Sequence, residues 1–265
     1  MSSRAPTVQL ASVVYGDGVA LDDPAETYNE AAKLYPSSAG ASARGIRLLE
    51  ATPELQLSVS RAGRRHIQRP QLPLPAAAWP PVQLGQAIES RCSRAPSIDS
   101  RLKLAELATL MWALNGRSED GRRTIPSGGA LYPLELYVVA NRIEGVATGV
   151  HHFDPFRHSL ELLAVDVDRL PRALVDPTLA SAPAVLAIAG VFWRSRFKYG
   201  QRGYRFTLLE AGHALQNALL TAAALGLAAL PIGGYYDALV DEILGVNGVD
   251  ESTIHLLAVG SEAHT

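Results

Sequence analysis

The feature that most constrains this chain is one apolar stretch, residues 214–232, whose only polar side chains are Gln216, Asn217 and Thr221. A bilayer span needs about 20 strongly apolar residues. This stretch is alanine-rich, carries three polar groups and meets Pro231 near its end. It therefore predicts a helix buried in a protein core, over 207–225, rather than a membrane span. Helices are also expected over 26–34, 84–90 and 101–114, the last ended by Asn115 and Gly116. Residues 135–143 are rich in strand formers, 184–191 is a short apolar run that suits a central strand, and 255–260 closes with another. Asp154 and Pro155, between 149–153 and 160–165, read as a hairpin turn. Residues 55–60 alternate like a strand. The proline-dense stretch 69–81 is expected to be extended and to divide an N-terminal extension, 1–81, from a main domain over 82–265.

The 265 residues, 48% hydrophobic and 19% charged, suit a globular chain with a real core. A net charge of −2 gives no global pull toward nucleic acid or membrane. One cysteine, Cys92, cannot close an intrachain disulfide. Residues 1–14 lack the apolar core of a signal peptide, so a cytoplasmic protein is expected. Gly16, Asp17 and Gly18 lack the third glycine of a dinucleotide fingerprint.

Four segments carry candidate chemistry. Residues 89–94 place Arg91, Ser93 and Arg94 at a helix end, where they can grip a phosphate or simply be solvated. Pro-Ser-Gly-Gly-Ala-Leu-Tyr-Pro, 126–133, can bring backbone N–H groups to a ligand or be a tight turn. Pro-Ile-Gly-Gly-Tyr, 231–235, follows the buried helix; its glycines permit a flat ligand or end the helix. Residues 194–206 pack five basic and four aromatic side chains together. They can hold single-stranded nucleic acid, surround an anionic cofactor with Lys198 and Tyr199 as proton-transfer groups, or decorate a loop. Glu210, His213 and Asn217 share one helix face and are expected to line a cavity or interface. Glu210-x-x-His213 occurs once, which does not make a di-iron site, so no metal is expected. His151 and His152 are expected in a strand with one ring in and one out.

The order of these segments, from Ser-Arg-Cys-Ser-Arg (90–94) through Lys198 and Tyr199 to Glu-Ala-Gly-His-Ala-Leu-Gln-Asn (210–217) and Pro-Ile-Gly-Gly-Tyr, resembles the nitroreductase superfamily. More closely it is similar to the branch of thiazoline/oxazoline dehydrogenases, and residues 28–34 resemble a motif of that branch's extension. The resemblance implies an α+β, nitroreductase-like fold with a mostly antiparallel sheet flanked by helices. It implies FMN as cofactor and a homodimer with flavin at the interface. Arg91 and Ser93 would contact the phosphate and ribityl chain. Pro126, Ser127 and Gly128 would reach the flavin, Pro231, Ile232, Gly233 and Gly234 would run beside its ring, and Glu210 would lie nearby. The C-terminal residues 260–265 lack the Lys or Arg that many relatives place on the phosphate, and Arg202 or Arg205 is expected to supply that charge. Lys198 and Tyr199 match the pair assigned to azoline oxidation. The implied substrate is a peptide carrying azoline rings, the implied partner a cyclodehydratase or leader-binding protein, with no nucleic acid and no membrane. An NAD(P)H-dependent nitro- or quinone reductase is the alternative, and a single-stranded nucleic-acid-binding module the remote one.

Overall fold

The computed structural model describes residues 23–37, 44–60 and 63–262. Gly16, Asp17, Gly18 and the last three residues lie outside them. Three helices come first: α1 (Pro24–Ala31), α2 (Arg44–Ala51) and α3 (Pro53–Ser60). Asp23 caps α1 by accepting the Ala25 N–H at 2.8 Å, and Pro24 occupies the first helical position. The strand expected at 55–60 is instead α3. Pro53 opens it and Glu54 sits in its first turn, both of which favour a helix N-terminus over a short alternating pattern.

The remaining elements are β1 (Gln71–Pro73), α4 (Leu84–Ser90), α5 (Leu104–Asn115), β2 (Leu134–Ala140), β3 (Gly149–Asp154), β4 (Ser159–Ala164), α6 (Leu170–Ala173), β5 (Ala184–Val191), α7 (Phe192–Tyr199), α8 (Gln201–Ala224), β6 (Leu227–Ile232), α9 (Asp237–Leu244) and β7 (Glu251–Ser261). The strands form one sheet, ordered β1-β4-β3-β2-β5-β7-β6, with every pair antiparallel. Strand β1, on the N-terminal side of the division expected at 82, supplies one edge.

The central strands read as continuous apolar runs because both sheet faces are covered. Leu136, Val138, Leu186, Ile188, Leu257 and Val259 face a core completed by α5 and α8. Tyr137, Val139, Val185, Ala187, Leu256 and Ala258 face a second core closed by α6 and α9. Ala211, Ala214, Ala218 and Ala222 lie on the first core, so α8 approaches the sheet closely. No helix among the described residues is long and apolar enough to cross a membrane.

One polar row crosses the second face. Gln71, Glu161, His152 and Tyr137 are successive cross-strand partners on β1, β4, β3 and β2. His152 is fully buried, with Nε2 at 2.9 Å from Glu135 and Nδ1 at 2.9 Å from Glu161. Arg194 of α7 pairs with Glu135 at 2.5 Å. The backbone N–H of Arg64 donates to Glu135 and that of His66 to Glu161. Both rings expected to alternate in and out are buried: His151 is 3% exposed and bonds the Ala147 carbonyl oxygen at 2.8 Å. A sheet covered on both faces has no outside for the second ring.

Burial alone would lower the pKa of His152, but its hydrogen bonds to the two glutamates win and raise it to about 9. Burial would raise both glutamates; the His152 hydrogen bond, with Arg194 on Glu135 and Gln71 on Glu161, holds each at about 2. The imidazolium therefore stabilises the fold fully below about pH 6.5, and this contribution is lost as pH rises through 9. The carboxylates contribute above about pH 4.5 and lose that contribution as pH falls through 2. Replacing His152 with Gln leaves the buried Glu161 without its cation and Glu135 with Arg194 alone, and should cost about 3–5 kcal/mol. Calorimetry of the variant should also show a flatter loss of Tm between pH 7 and 9; an unchanged alkaline limb would remove His152 from this role.

Candidate functional site

The sequence-predicted residues gather into two groups. The first lies where the 91–94 segment runs beside β6. Ser93 forms a parallel bridge to Ala229, and the Arg94 N–H donates to the Ala229 carbonyl oxygen at 3.1 Å. The segment therefore lies along the strand that ends in Pro231, Ile232, Gly233 and Gly234. The two glycines were expected at a helix exit, and they leave a strand instead. Gly226, in the left-handed conformation, ends α8 and β6 intervenes. Arg94 is committed to Glu262 at 2.7 Å. Arg91 contacts the Ser93 hydroxyl at 3.5 Å and forms no ion pair among the described residues, so its guanidinium is the one open to an anion. No atom lies within 4 Å of a Cβ built on Gly233, which leaves room for a flat ligand along the end of β6.

The second group forms around the turn before β2. Ser127 Oγ accepts the Tyr132 N–H at 2.9 Å, and Gly129, Ala130 and Tyr132 all have positive φ. Non-glycine residues adopt that region at a cost and mostly where surrounding structure imposes it. Over this turn the end of α7 brings the side chains of Lys198 and Tyr199. A Cβ added to Gly129 would stand 2.5 Å from the Tyr199 hydroxyl and 2.8 Å from Lys198 Nζ. Gly128 faces Phe206, whose ring lies edge-on to Tyr199 with centroids 5.0 Å apart. The basic–aromatic segment is thus two helices, α7 and the start of α8, broken at Gly200.

Glu210 enters the same group from α8. It is 2% exposed, lies beside Ser127, and leaves Oε1 without a hydrogen-bond partner. Burial raises its carboxyl to about 7, against the opposing pull of Ser127 and Arg123. The other two members of the expected face separate from it. His213 is exposed, while Asn217 donates to the carbonyl oxygens of Ala113 and Thr124 and so fastens the loop that leads to Pro126. Arg202 and Arg205 are held by the extension. Arg205 donates to Asn29 Oδ1 at 2.9 Å and Arg202 to the Ala32 carbonyl oxygen at 3.3 Å. The charge expected of them at a phosphate is used to dock α1, where Tyr28 also packs against Tyr204.

Sequence reasoning missed the network that holds α7, which joins Arg194 and His152 to Glu135, Glu161, Arg64 and His66. A lone glutamate in the apolar stretch 135–143 was the available signal, since a charge there must find a partner. Ligand atoms of His66, His152 and Glu161 lie within 4.8 Å of one another. Both ring nitrogens of His152 are already taken by carboxylates, so the cluster is an ion-paired network.

A model of the Nitroreductase family matches residues 91–261. A protein of Methanocaldococcus jannaschii that carries the nitroreductase name provisionally is 37% identical over 183 residues, covering 68% of this chain and 91% of its own. The microcin B17-processing protein McbC of Escherichia coli is 34% identical over 146 residues, 52% of this chain, which spans 53% of that protein. Among solved structures, the E. coli microcin synthetase McbBCD complex with truncated pro-MccB17 bound contains a chain that superposes with a TM-score of 0.61 at 23% identity, covering 97% of this chain and 98% of its own.

Two outcomes test the site geometry. In Gly129→Ala the new methyl group displaces the tips of Lys198 and Tyr199, so acylation of Lys198 by an amine-selective reagent should change at least about threefold. The left-handed φ should cost only about 1–2 kcal/mol in urea unfolding. Labelling identical to that of the unsubstituted protein would show that the three groups do not converge. For Glu210, the folded protein retains a proton between about pH 4.5 and 7 that the unfolded chain has lost, so stability falls across that window. Glu210→Gln should gain on the order of 1–3 kcal/mol relative to the unsubstituted protein between pH 5 and 8; parallel stability curves would contradict a near-neutral carboxyl.

Proposed function

The chain belongs to the nitroreductase family, and within it we propose an FMN-dependent dehydrogenase that aromatises azoline rings, thiazoline or oxazoline, in a peptide natural-product precursor. The observation that carries this reading is the convergence of Lys198 Nζ and Tyr199 Oη on the Gly129 turn. An azoline carries a C–H made acidic by the adjacent imine and carbonyl. Loss of that proton and of a hydride leaves the aromatic azole. FMN, when bound, supplies the two-electron acceptor for the hydride.

The chain's own groups do the rest. Lys198 Nζ takes the ring proton, and Tyr199 Oη, within reach of the same spot, relays it. Phe206 supports the Tyr199 ring from α8 and restricts the hydroxyl to the Gly129 side. The uncommitted Arg91 guanidinium, with Ser93, suits the phosphate and ribityl chain. The open space at Gly233 suits a planar ring passing Pro231, Ile232 and Gly234. Pro126, Ser127 and Gly128 approach the flavin from the other side, contributed across a homodimer interface. Glu210, protonated near neutrality and with one oxygen unpartnered, presents a carboxyl hydrogen-bonding group to the same space.

The likeness to McbC, which processes microcin B17, supports a peptide substrate. The synthetase complex offers a parallel for a cyclodehydratase or leader-binding partner. The M. jannaschii relative favours a second reading, an NAD(P)H-dependent nitro- or quinone reductase. Steady NADPH oxidation with a quinone, and none of an azoline peptide, would select that reading. Lys198→Ala should lower azoline oxidation by about 10²- to 10⁴-fold, the usual contribution of a general base, while the protein keeps its flavin absorbance. Undiminished turnover by this variant would sink the assignment.

A further inference from the structure

The extension reaches the C-terminal end of α7, the helix that carries Lys198 and Tyr199. Helix α2 lies against α7 so closely that a Cβ on Gly45 would stand 2.2 Å from the Phe197 carbonyl oxygen and 2.9 Å from Lys198 Cα. Only glycine allows two helix backbones to approach like this. Beside the contact opens a cleft of about 270 Å³, lined by Arg44, Gly45 and Leu48 of α2, by Arg196, Phe197 and Lys198 of α7, and by Gly200. Its volume falls below the roughly 300–1,000 Å³ of pockets that enclose a whole ligand. It has room for one part of a longer molecule.

The chemistry of the walls is one-sided. Two arginines and one lysine line the cleft, and among the described residues no Asp or Glu does. Leu48 and Phe197, 48% and 40% exposed, add apolar surface at its mouth. Arg196 meets only the amide oxygen of Gln201, at 3.4 Å, and forms no ion pair among the described residues. Arginine forks match carboxylates in a bidentate geometry, and a cluster of like charges held in a cleft favours an anion. Elsewhere the extension spends its charge differently: Arg64 pairs with Glu251, and Lys33 with Glu30.

We propose that this cleft is a substrate subsite that seats an acidic side chain flanking the azoline ring, its carboxylate between Arg44 and Arg196 and its aliphatic part on Leu48 and Phe197. The inference rests on the peptide-azoline reading above. It gives the extension a function: α2 forms one wall of the substrate site, and Gly45 sets how near that wall stands to Lys198.

The test uses the full chain loaded with FMN and azoline peptides amidated at the C-terminus, differing only in whether Glu, Gln or Lys flanks the ring. The Glu peptide should be oxidised with kcat/KM about tenfold above Gln and further above Lys, with the preference shrinking as salt rises. Arg44→Glu should invert the order to favour Lys. Gly45→Val, which forces α2 away from α7, should flatten it. Affinity for the corresponding azole peptides, read by fluorescence anisotropy, should follow the same order without turnover. Oxidation of all three peptides at equal kcat/KM would overturn the subsite and leave the peptide-azoline reading standing. Oxidation of none would overturn that reading and the subsite with it. Loss of flavin absorbance in Arg44→Glu would assign the cleft to the cofactor phosphate and likewise overturn the proposal.

Discussion

His152, buried between Glu135 and Glu161, is the interaction on which the rest of the molecule depends. Charges removed from water are tolerated only when each finds a partner and its remaining hydrogen-bonding capacity is used. Here the condition is met by groups from five places in the chain: β2, β3, β4, the start of α7 and the segment at 64–66. None of these places can move independently without exposing an unpaired charge to an apolar core. The network therefore acts as a fastening for elements that hydrophobic packing alone would leave free to slide.

What it fastens is the site. Arg194 and Lys198 are four positions apart on α7 and so lie on one face of the helix. Gly129 sits in the turn that leads directly into the strand carrying Glu135. The Arg194–Glu135 pair and the approach of Lys198 to Gly129 thus join the same two segments, one helical turn apart. A buried ion pair sets the height and rotation of α7, and the Lys198 amine and Tyr199 phenol arrive over the turn as a consequence. The same helix is also met by α2 at Gly45, against the backbone of Phe197 and Lys198.

Glu210 shows the opposite electrostatic solution. It is as buried as Glu135 yet has no cation bonded to it, and burial raises its carboxyl to about 7 instead of leaving it fully ionised. Two buried glutamates whose pKa values are displaced in opposite directions distinguish a structural clamp from a group that can gain or lose a proton at physiological pH. The difference comes from their neighbours.

The sequence by itself determined most of the elements and the family. The period of the apolar residues marked α5, α8 and the central strands, and the order of short motifs carried the resemblance to the nitroreductase superfamily, which the family match bears out. It failed where local pattern competes with context. Residues 55–60 alternate but fold as a helix behind Pro53, and the basic–aromatic segment hid the helix α7. Only the tertiary structure decided which side chains meet. The meeting of His152 with Glu161 follows from strand register, and that of Lys198 with Gly129 from how α7 packs on the turn before β2. Register and packing are set by the whole sheet and its two cores at once. Gly129 and Lys198 lie far apart in the sequence, and even His152 and Glu161, nine residues apart in one hairpin, meet in only one register of β3 on β4.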